Sequence, residues 1–267
     1  MSIDPKIFNR FLSILEVKPG RPSIDLLGQI VRSHLDKIPF ENISKLIYKR
    51  KGMTDIPGFS QYLEGIEKNN FGGTCYSLNY YLYLLLKYLG FNVKLCGADM
   101  KRPDVHIISI VEVDYREFII DCGYGAPFNE PLPRDINEDH IISFGDEKYV
   151  LKPRKPDGTS RLEQYHYNEL RHFYNVKPEP RKQSDFKDVI RDSYSGDAMF
   201  MNSLLITRHS EDYSISLRDF ELTVVKKNKI TKKKIEKAEI PETVYSYFGI
   251  PARLVKAAVY GLRSLNQ

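Results

Sequence analysis

The chain has 267 residues, 42% of them apolar and 28% charged, a balance that supports a substantial core in one or two globular units. Forty basic residues against 35 acidic ones leave a net charge of +5, too mild an excess to mark a nucleic-acid-binding surface. The longest apolar stretch, Tyr80 to Leu86, falls far short of a bilayer span, which sets aside a membrane-embedded function.

The first third reads as helical. Asp4 and Pro5 form a cap and first-turn pair, followed by Ile7, Phe8, Phe11, Leu12 and Leu15 at helical spacing. Pro19-Gly20-Arg21-Pro22 breaks that helix. A second starts at Ser23, carries Leu27, Ile30, Val31 and Leu35 on one face, and ends before Pro39. An amphipathic piece from Ser60 to Lys68 precedes Asn69-Asn70-Phe71-Gly72-Gly73, and a strong helix from Cys75 to Leu89 closes at Gly90.

The period then changes. Val93 to Cys96, Val105 to Val113 and Glu117 to Asp121 are β-rich runs, the last two joined at Asp114-Tyr115. A proline-rich loop covers Phe128 to Arg134, with further strands at Tyr149 to Leu151 and within Arg161 to Tyr174. A polar helix is expected from Ser184 to Tyr194. Ser203 to Thr207, Tyr213 to Leu217 and Phe220 to Val225 form a late strand set, and a short helix runs from Pro241 to Phe248. Helices first, then strands, then mixed elements predict an α+β protein, not alternating βαβ units.

Three cysteines, Cys75, Cys96 and Cys122, form no dense framework and point to a reducing compartment. Met1-Ser2-Ile3-Asp4-Pro5 lacks the charged and apolar regions of a signal peptide, so the expected location is cytoplasmic.

Cys75 stands out because Gly72-Gly73-Thr74 places it in the first turn of a helix. Unpaired N–H groups and the helix dipole there favour a thiolate, and the amides of Cys75 and Tyr76 could serve an oxyanion. The alternative is a buried structural cysteine. His106 begins the alternating strand His106-Ile107-Ile108-Ser109-Ile110-Val111, and its partner strand ends in Ile119-Ile120-Asp121. A two-residue loop at Asp114-Tyr115 sets Ile108 opposite Asp121, with His106 one diagonal step away on the same face. In that register the carboxylate orients an imidazole, the arrangement of a nucleophile–base–acid set; a one-residue slip would separate the pair.

These residues resemble the arylamine N-acetyltransferase family. Pro39-Phe40-Glu41-Asn42 is similar to its N-terminal signature and Gly72-Gly73-Thr74-Cys75, with Asn79, to its nucleophile segment. Val105-His106 and Ile120-Asp121-Cys122-Gly123-Tyr124-Gly125 are similar to its histidine and aspartate segments. Phe200-Met201-Asn202-Ser203 and Leu217 to Thr223 look like its later strands. The resemblance implies an N-terminal helical bundle over residues 1–92 carrying the nucleophile, a central β-barrel over 93–206 carrying histidine and aspartate, and a C-terminal α/β lid over 207–267. It implies a cysteine-protease-like core in which Cys75 is acetylated, His106 is the base and Asp121 the orienting acid. It also implies acetyl-CoA as donor, no metal, and an arylamine, hydrazine or N-hydroxyarylamine as acceptor. Phe40, Val105, Tyr124 and Ala126 fall where the family lines its acceptor pocket. Two positions depart from the family pattern: Phe71 stands where Arg is usual, and Ser77 where Glu or Gln is usual. Glu41 therefore lacks the arginine expected to pair with it.

Rival readings keep the scaffold but use another acyl thioester, as amide synthases do, or retain the fold as a binding protein without turnover. Hydrolysis or transamidation by a transglutaminase-like triad is a further rival. The lysines from Lys226 to Lys234, clustered around Asn228 and Thr231, have no interleaved aromatics and read as a solvated hairpin edge. Cys96 and Cys122 are expected in strands; neither has metal-ligand spacing. His34, His140, His166, His172 and His209 are isolated and expected mostly in surface or loop positions.

Overall fold

The structure is a computed structural model and describes residues 4–227 and 229–265; Met1 to Ile3 of the leader reading and Asn228 of the lysine cluster lie outside that range. Helices α1 (Pro5–Leu15) and α2 (Ile24–Lys37) open the chain. Asp4 Oδ1 accepts from the Lys6 amide at 2.9 Å and Ser23 Oγ from the Leu26 amide at 3.2 Å, so both starts are capped by the residues expected to do so. A two-residue strand β1 (Phe40–Glu41) follows, then α3 (Ile43–Arg50), α4 (Phe59–Asn69) and α5 (Cys75–Tyr88). The helix α3 was not anticipated. Its stripe is interrupted by Ser44 and Lys45, both of which are nonetheless buried.

Strands β2 (Asn92–Asp99), β3 (His106–Val113), β4 (Arg116–Ile120), β5 (Leu132–Pro133), β6 (His140–Phe144), β7 (Glu147–Leu151), β8 (Ser160–His166) and β9 (Glu169–Pro180) form an eight-stranded sheet in the order β5-β4-β3-β2-β9-β8-β7-β6. Residues from distant strands share one core: Leu132 and Ile119 pack in the same cluster as Leu162, Tyr149 and Leu151. That sharing requires the sheet to curl, and it forms a nearly closed barrel. Two-residue turns at Asp114-Tyr115 and Tyr167-Asn168 put both central residues at positive φ, the twist that suits a tight hairpin.

After α6 (Lys187–Asp192) and α7 (Met199–Asn202), strands β10 (Leu205–His209), β11 (Tyr213–Arg218), β12 (Glu221–Lys226) and β13 (Lys229–Lys234) form a second sheet, ordered β1-β10-β11-β12-β13. β13 is its outer edge, and all four of its lysines are exposed. Helices α8 (Ile240–Phe248) and α9 (Ala252–Val259) cover this sheet, with Val244, Phe248 and Val255 in its apolar cluster. The architecture is α+β, with helical, barrel and α/β lid portions. Among the described residues no helix is long and apolar enough to cross a membrane.

The link that matters for the site is β1. Phe40 pairs with Thr207 of β10 on one side and bridges Gly73 on the other, while the Glu41 amide donates to the Gly73 carbonyl at 3.0 Å. The turn before Cys75 is thereby tied to the late sheet.

Candidate active site

Cys75 is the first residue of α5 and is 7% exposed. The turn that delivers it is crowded: a Cβ on Gly72 would lie 1.8 Å from the Pro39 carbonyl oxygen, so no other residue fits there. Thr74 makes no side-chain cap, and among the described residues the amides of Cys75 and Tyr76 have no protein acceptor. Those two donors sit at the positive end of the helix.

The β3–β4 register pairs Ser109 with Ile120. Extended by one step it sets Asp121 across from Ile108, with His106 a diagonal away. Both side chains are buried, and His106 Nε2 lies 2.8 Å from Asp121 Oδ2. The Cys75 sulfur is near enough to the ring to act on its charge. With Nε2 held by the carboxylate, Nδ1 is the nitrogen left to face that sulfur. The three residues, remote in sequence, meet here.

Asp121 is the most heavily held group of the site. Oδ2 accepts from Tyr174 Oη at 2.9 Å as well as from His106, and Oδ1 accepts from Asn79 Nδ2 at 2.8 Å and the Gly123 amide at 3.1 Å. Burial opposes its charge, but the His106 cation and these donors hold the carboxyl below the usual range. Burial likewise opposes charge on His106. The Asp121 carboxylate, the hydrogen bond to it and the Cys75 sulfur outweigh that, raising the imidazole pKa to about 10. His106 therefore stays protonated through neutral pH.

Asn79 lies one turn beyond Cys75 on α5 and does more than serve Asp121. Its Nδ2 donates to the Ile107 carbonyl at 2.6 Å and its Oδ1 accepts the Cys122 amide at 2.9 Å. It clamps the helix to the ends of β3 and β4. Gly123 completes that contact, since a Cβ there would come within 2.7 Å of the Cys75 Cα. Asn79 follows from its i+4 spacing to Cys75; Tyr174 had no signal in the sequence.

Of the four residues expected to line an acceptor pocket, Tyr124 and Val105 adjoin His106. Tyr124 is half-buried, its ring edge-on to His106 at 5.8 Å and its hydroxyl bonded to Gln164 at 3.1 Å and His172 at 2.7 Å. Val105 directly precedes His106 and is half-buried. Phe40 is buried with its ring 5.6 Å from Phe200, and Ala126 belongs to the barrel core.

Glu41 is fully buried without a cationic partner among the described residues. It accepts from the Ser44 amide at 2.8 Å and the Gly72 amide at 3.0 Å. Burial raises its carboxyl pKa despite these bonds, so desolvation favours the neutral acid. Phe71 does not approach it as a cation would; the ring packs edge-on against Tyr48 at 6.3 Å.

Two expectations need correction. Cys122 follows β4 instead of lying in a strand, and burial together with Asp121 pushes its thiol well up, as burial pushes Cys96 up to about 12. The isolated histidines are not loop residues: His34 and His209 are buried, and the other three lie half-buried in β6, β8 and β9. Residue type alone misjudged exposure because one neutral imidazole can occupy an apolar face. Among the described residues the only grouping with metal-ligand geometry is Asp146, Glu147 and His166, away from Cys75, and Lys232 lies 3.6 Å from Asp146.

An N-acetyltransferase family model matches residues 23–257. The chain is 25% identical over 209 residues to human arylamine N-acetyltransferase 1, covering 67% of this chain and 69% of that one. Over eight curated relatives that it matches, the aligned part takes in between 40% and 75% of their length. In fold, it superposes on arylamine N-acetyltransferase from Salmonella typhimurium with a TM-score of 0.81 at 20% identity, covering 97% of this chain and 99% of the other. The Mycobacterium marinum arylamine N-acetyltransferase solved in complex with CoA gives 0.79 at 19% identity, covering 96% and 99%.

Proposed function

Because the chain belongs to the arylamine N-acetyltransferase family, we propose that it transfers an acetyl group from acetyl-CoA to an arylamine, hydrazine or N-hydroxyarylamine through an acetyl-cysteine at Cys75. The carrying observation is the buried imidazole of His106 on a carboxylate held by four donors, with the Cys75 sulfur, at a helix start, near enough to act on the ring's charge.

In the first half-reaction the Cys75 sulfur, its proton already on His106, attacks the thioester carbonyl carbon. The amides of Cys75 and Tyr76 receive the developing oxyanion. The carbon–sulfur bond to the coenzyme breaks, and coenzyme A leaves with the proton from His106. In the second half the amine attacks the acetyl-cysteine, gives its proton to His106, and the Cys75–acetyl bond breaks. Asp121 holds the imidazole in one orientation and favours its charged form throughout. Tyr124, Val105, Phe40 and Ala126 are the proposed acceptor-pocket residues, Tyr124 having the most direct contact with His106. The proposed division places the nucleophile in residues 1–92, histidine and aspartate in 93–206, and the lid in 207–267.

Intact-mass analysis after mixing with acetyl-CoA alone tests the reading. The expected result is an acetyl-sized adduct on Cys75 that an aromatic amine discharges, absent from Cys75→Ala. Steady-state kinetics should be ping-pong, with parallel double-reciprocal lines. No adduct with acetyl-CoA, or a fully active Cys75→Ala enzyme, sinks it.

A further inference from the structure

Lys45 is a buried cation that the chemistry above does not use. It lies on α3 and is 5% exposed. Its Nζ bonds Ser193 Oγ at 2.5 Å and sits 4.3 Å above the Tyr194 ring. Among the described residues no carboxylate forms an ion pair with it. Burying a lone ammonium is costly, and a hydroxyl with one aromatic face recovers only part of that. A retained charge in such a place calls for an anion.

The surroundings identify one. Lys45 lines a small cavity whose other wall includes Gly72, Gly73, Thr74, Tyr76 and Ser77, the turn and first residues of α5. Tyr194, on which the ammonium rests, packs in the same buried cluster as Cys75. The remaining ionisable groups facing this space are phenols, Tyr48, Tyr62, Tyr76 and Tyr194, with the Asp55 and Glu41 carboxyls nearby, neither of them in an ion pair with Lys45 among the described residues. Burial raises the pKa of every phenol, so none of them is a ready anion at neutral pH, and it raises that of the Glu41 carboxyl as well.

We propose that Lys45 is a positioning residue for the nucleophile: its ammonium, fixed behind the Gly73-Thr74-Cys75 turn by Ser193 and Tyr194, sustains the anionic form of the Cys75 sulfur. The proposal rests on the reading of Cys75 as nucleophile and adds a second cation to it. Charge bookkeeping favours the arrangement. His106 and Asp121 balance each other, so an anionic sulfur would otherwise have no counter-charge of its own. Lys45 supplies that counter-charge from the cavity lined by the Gly72-Gly73-Thr74 turn. Burial lowers the lysine pKa to about 8, the Cys75 sulfur being the group that offsets this. A lysine with that pKa is charged at neutral pH and neutral in mild alkali.

The test compares wild type with Lys45→Met, Lys45→Arg and Ser193→Ala, each checked for fold by circular dichroism. Iodoacetamide alkylation of Cys75 is followed by intact mass across pH, together with kcat/KM for acetyl-CoA. Lys45→Met should alkylate roughly tenfold more slowly at neutral pH, a change of about one pH unit in its profile, with a parallel fall in kcat/KM. Lys45→Arg should keep the neutral-pH rate and hold it further into alkali, because its charge persists. Ser193→Ala, which leaves the ammonium untethered, should lie between, and it carries the test if Lys45→Met does not fold. A folded Lys45→Met with the wild-type alkylation profile overturns the proposal, as does a folded Lys45→Arg that behaves like Lys45→Met. Both results leave the nucleophile reading intact, whereas wild-type Cys75 that neither alkylates nor accepts an acetyl group overturns that reading and this one together.

Discussion

Asp121 shows how a single carboxylate can be kept charged out of water. Four donors converge on its two oxygens, and the Tyr174 hydroxyl is the one that can be removed with least disturbance. A hydrogen bond to a charged group contributes about 1.5–3 kcal/mol. Tyr174→Phe should therefore fold normally and slow coenzyme A release by roughly tenfold or more, measured by stopped flow without acceptor. At the other extreme is His34, which is fully buried on α2 with neither ring nitrogen hydrogen-bonded among the described residues. Burial lowers its pKa to about 3 from the ordinary 6.5. The unfolded chain binds the proton first as the solution is acidified, so stability falls as pH drops below 6.5 and the loss levels off near 3. His34→Leu should remove part of this loss. The stability difference between neutral pH and about pH 4.5 should shrink by roughly 2–3 kcal/mol in urea denaturation.

The junction of α5 with the ends of β3 and β4 sets the distances within the candidate site. Asn79 supplies the polar clamp and Gly123 the close approach, its missing Cβ leaving space for the Cys75 backbone and the Asn79 amide. Gly123→Ala would press a methyl to 2.7 Å from both. Either the helix or the strand end must shift. The expected result is destabilisation of about 1–3 kcal/mol, read by urea denaturation, with slower acylation of Cys75 because the sulfur moves relative to His106. The hairpin between β3 and β4 carries the other half of the geometry. Its two-residue loop holds the register that puts His106 and Asp121 on one face, and a slip of one residue would part them.

Across the whole molecule, the late sheet is fastened to the nucleophile turn through β1 and the residue after it. Asn42 Nδ2 donates to the carbonyls of Phe200 at 2.8 Å and Ser203 at 2.7 Å, and its Oδ1 accepts the Leu205 amide at 2.9 Å. All three bonds cross more than 150 residues of sequence. Asn42→Ala leaves those backbone groups without this partner and should lower stability by about 2–4 kcal/mol in urea denaturation. Because β1 also bridges Gly73, turnover should fall alongside stability. At the far edge of the same sheet, the exposed lysines of β13 protect an otherwise unpaired strand, a role that needs no ligand.

Some of this was legible in the residues. Capping at Asp4 and Ser23, the helix beginning at Cys75, and the tight loop at Asp114-Tyr115 are local features, and local features follow from short-range sterics and hydrogen bonding. The loop alone sets the register, and with it the diagonal placement of His106 and Asp121. Helices α3 and α9 were not legible, since each is only eight residues long and their stability comes from packing against one another and the late sheet. Sequence by itself determined which residues stand at a helix start and which share a strand face. Tertiary structure decided that Tyr174 reaches Asp121, that His34 is buried, and that Lys45 lies behind the nucleophile turn. Separation along a chain carries no distance, and only packing turns it into one.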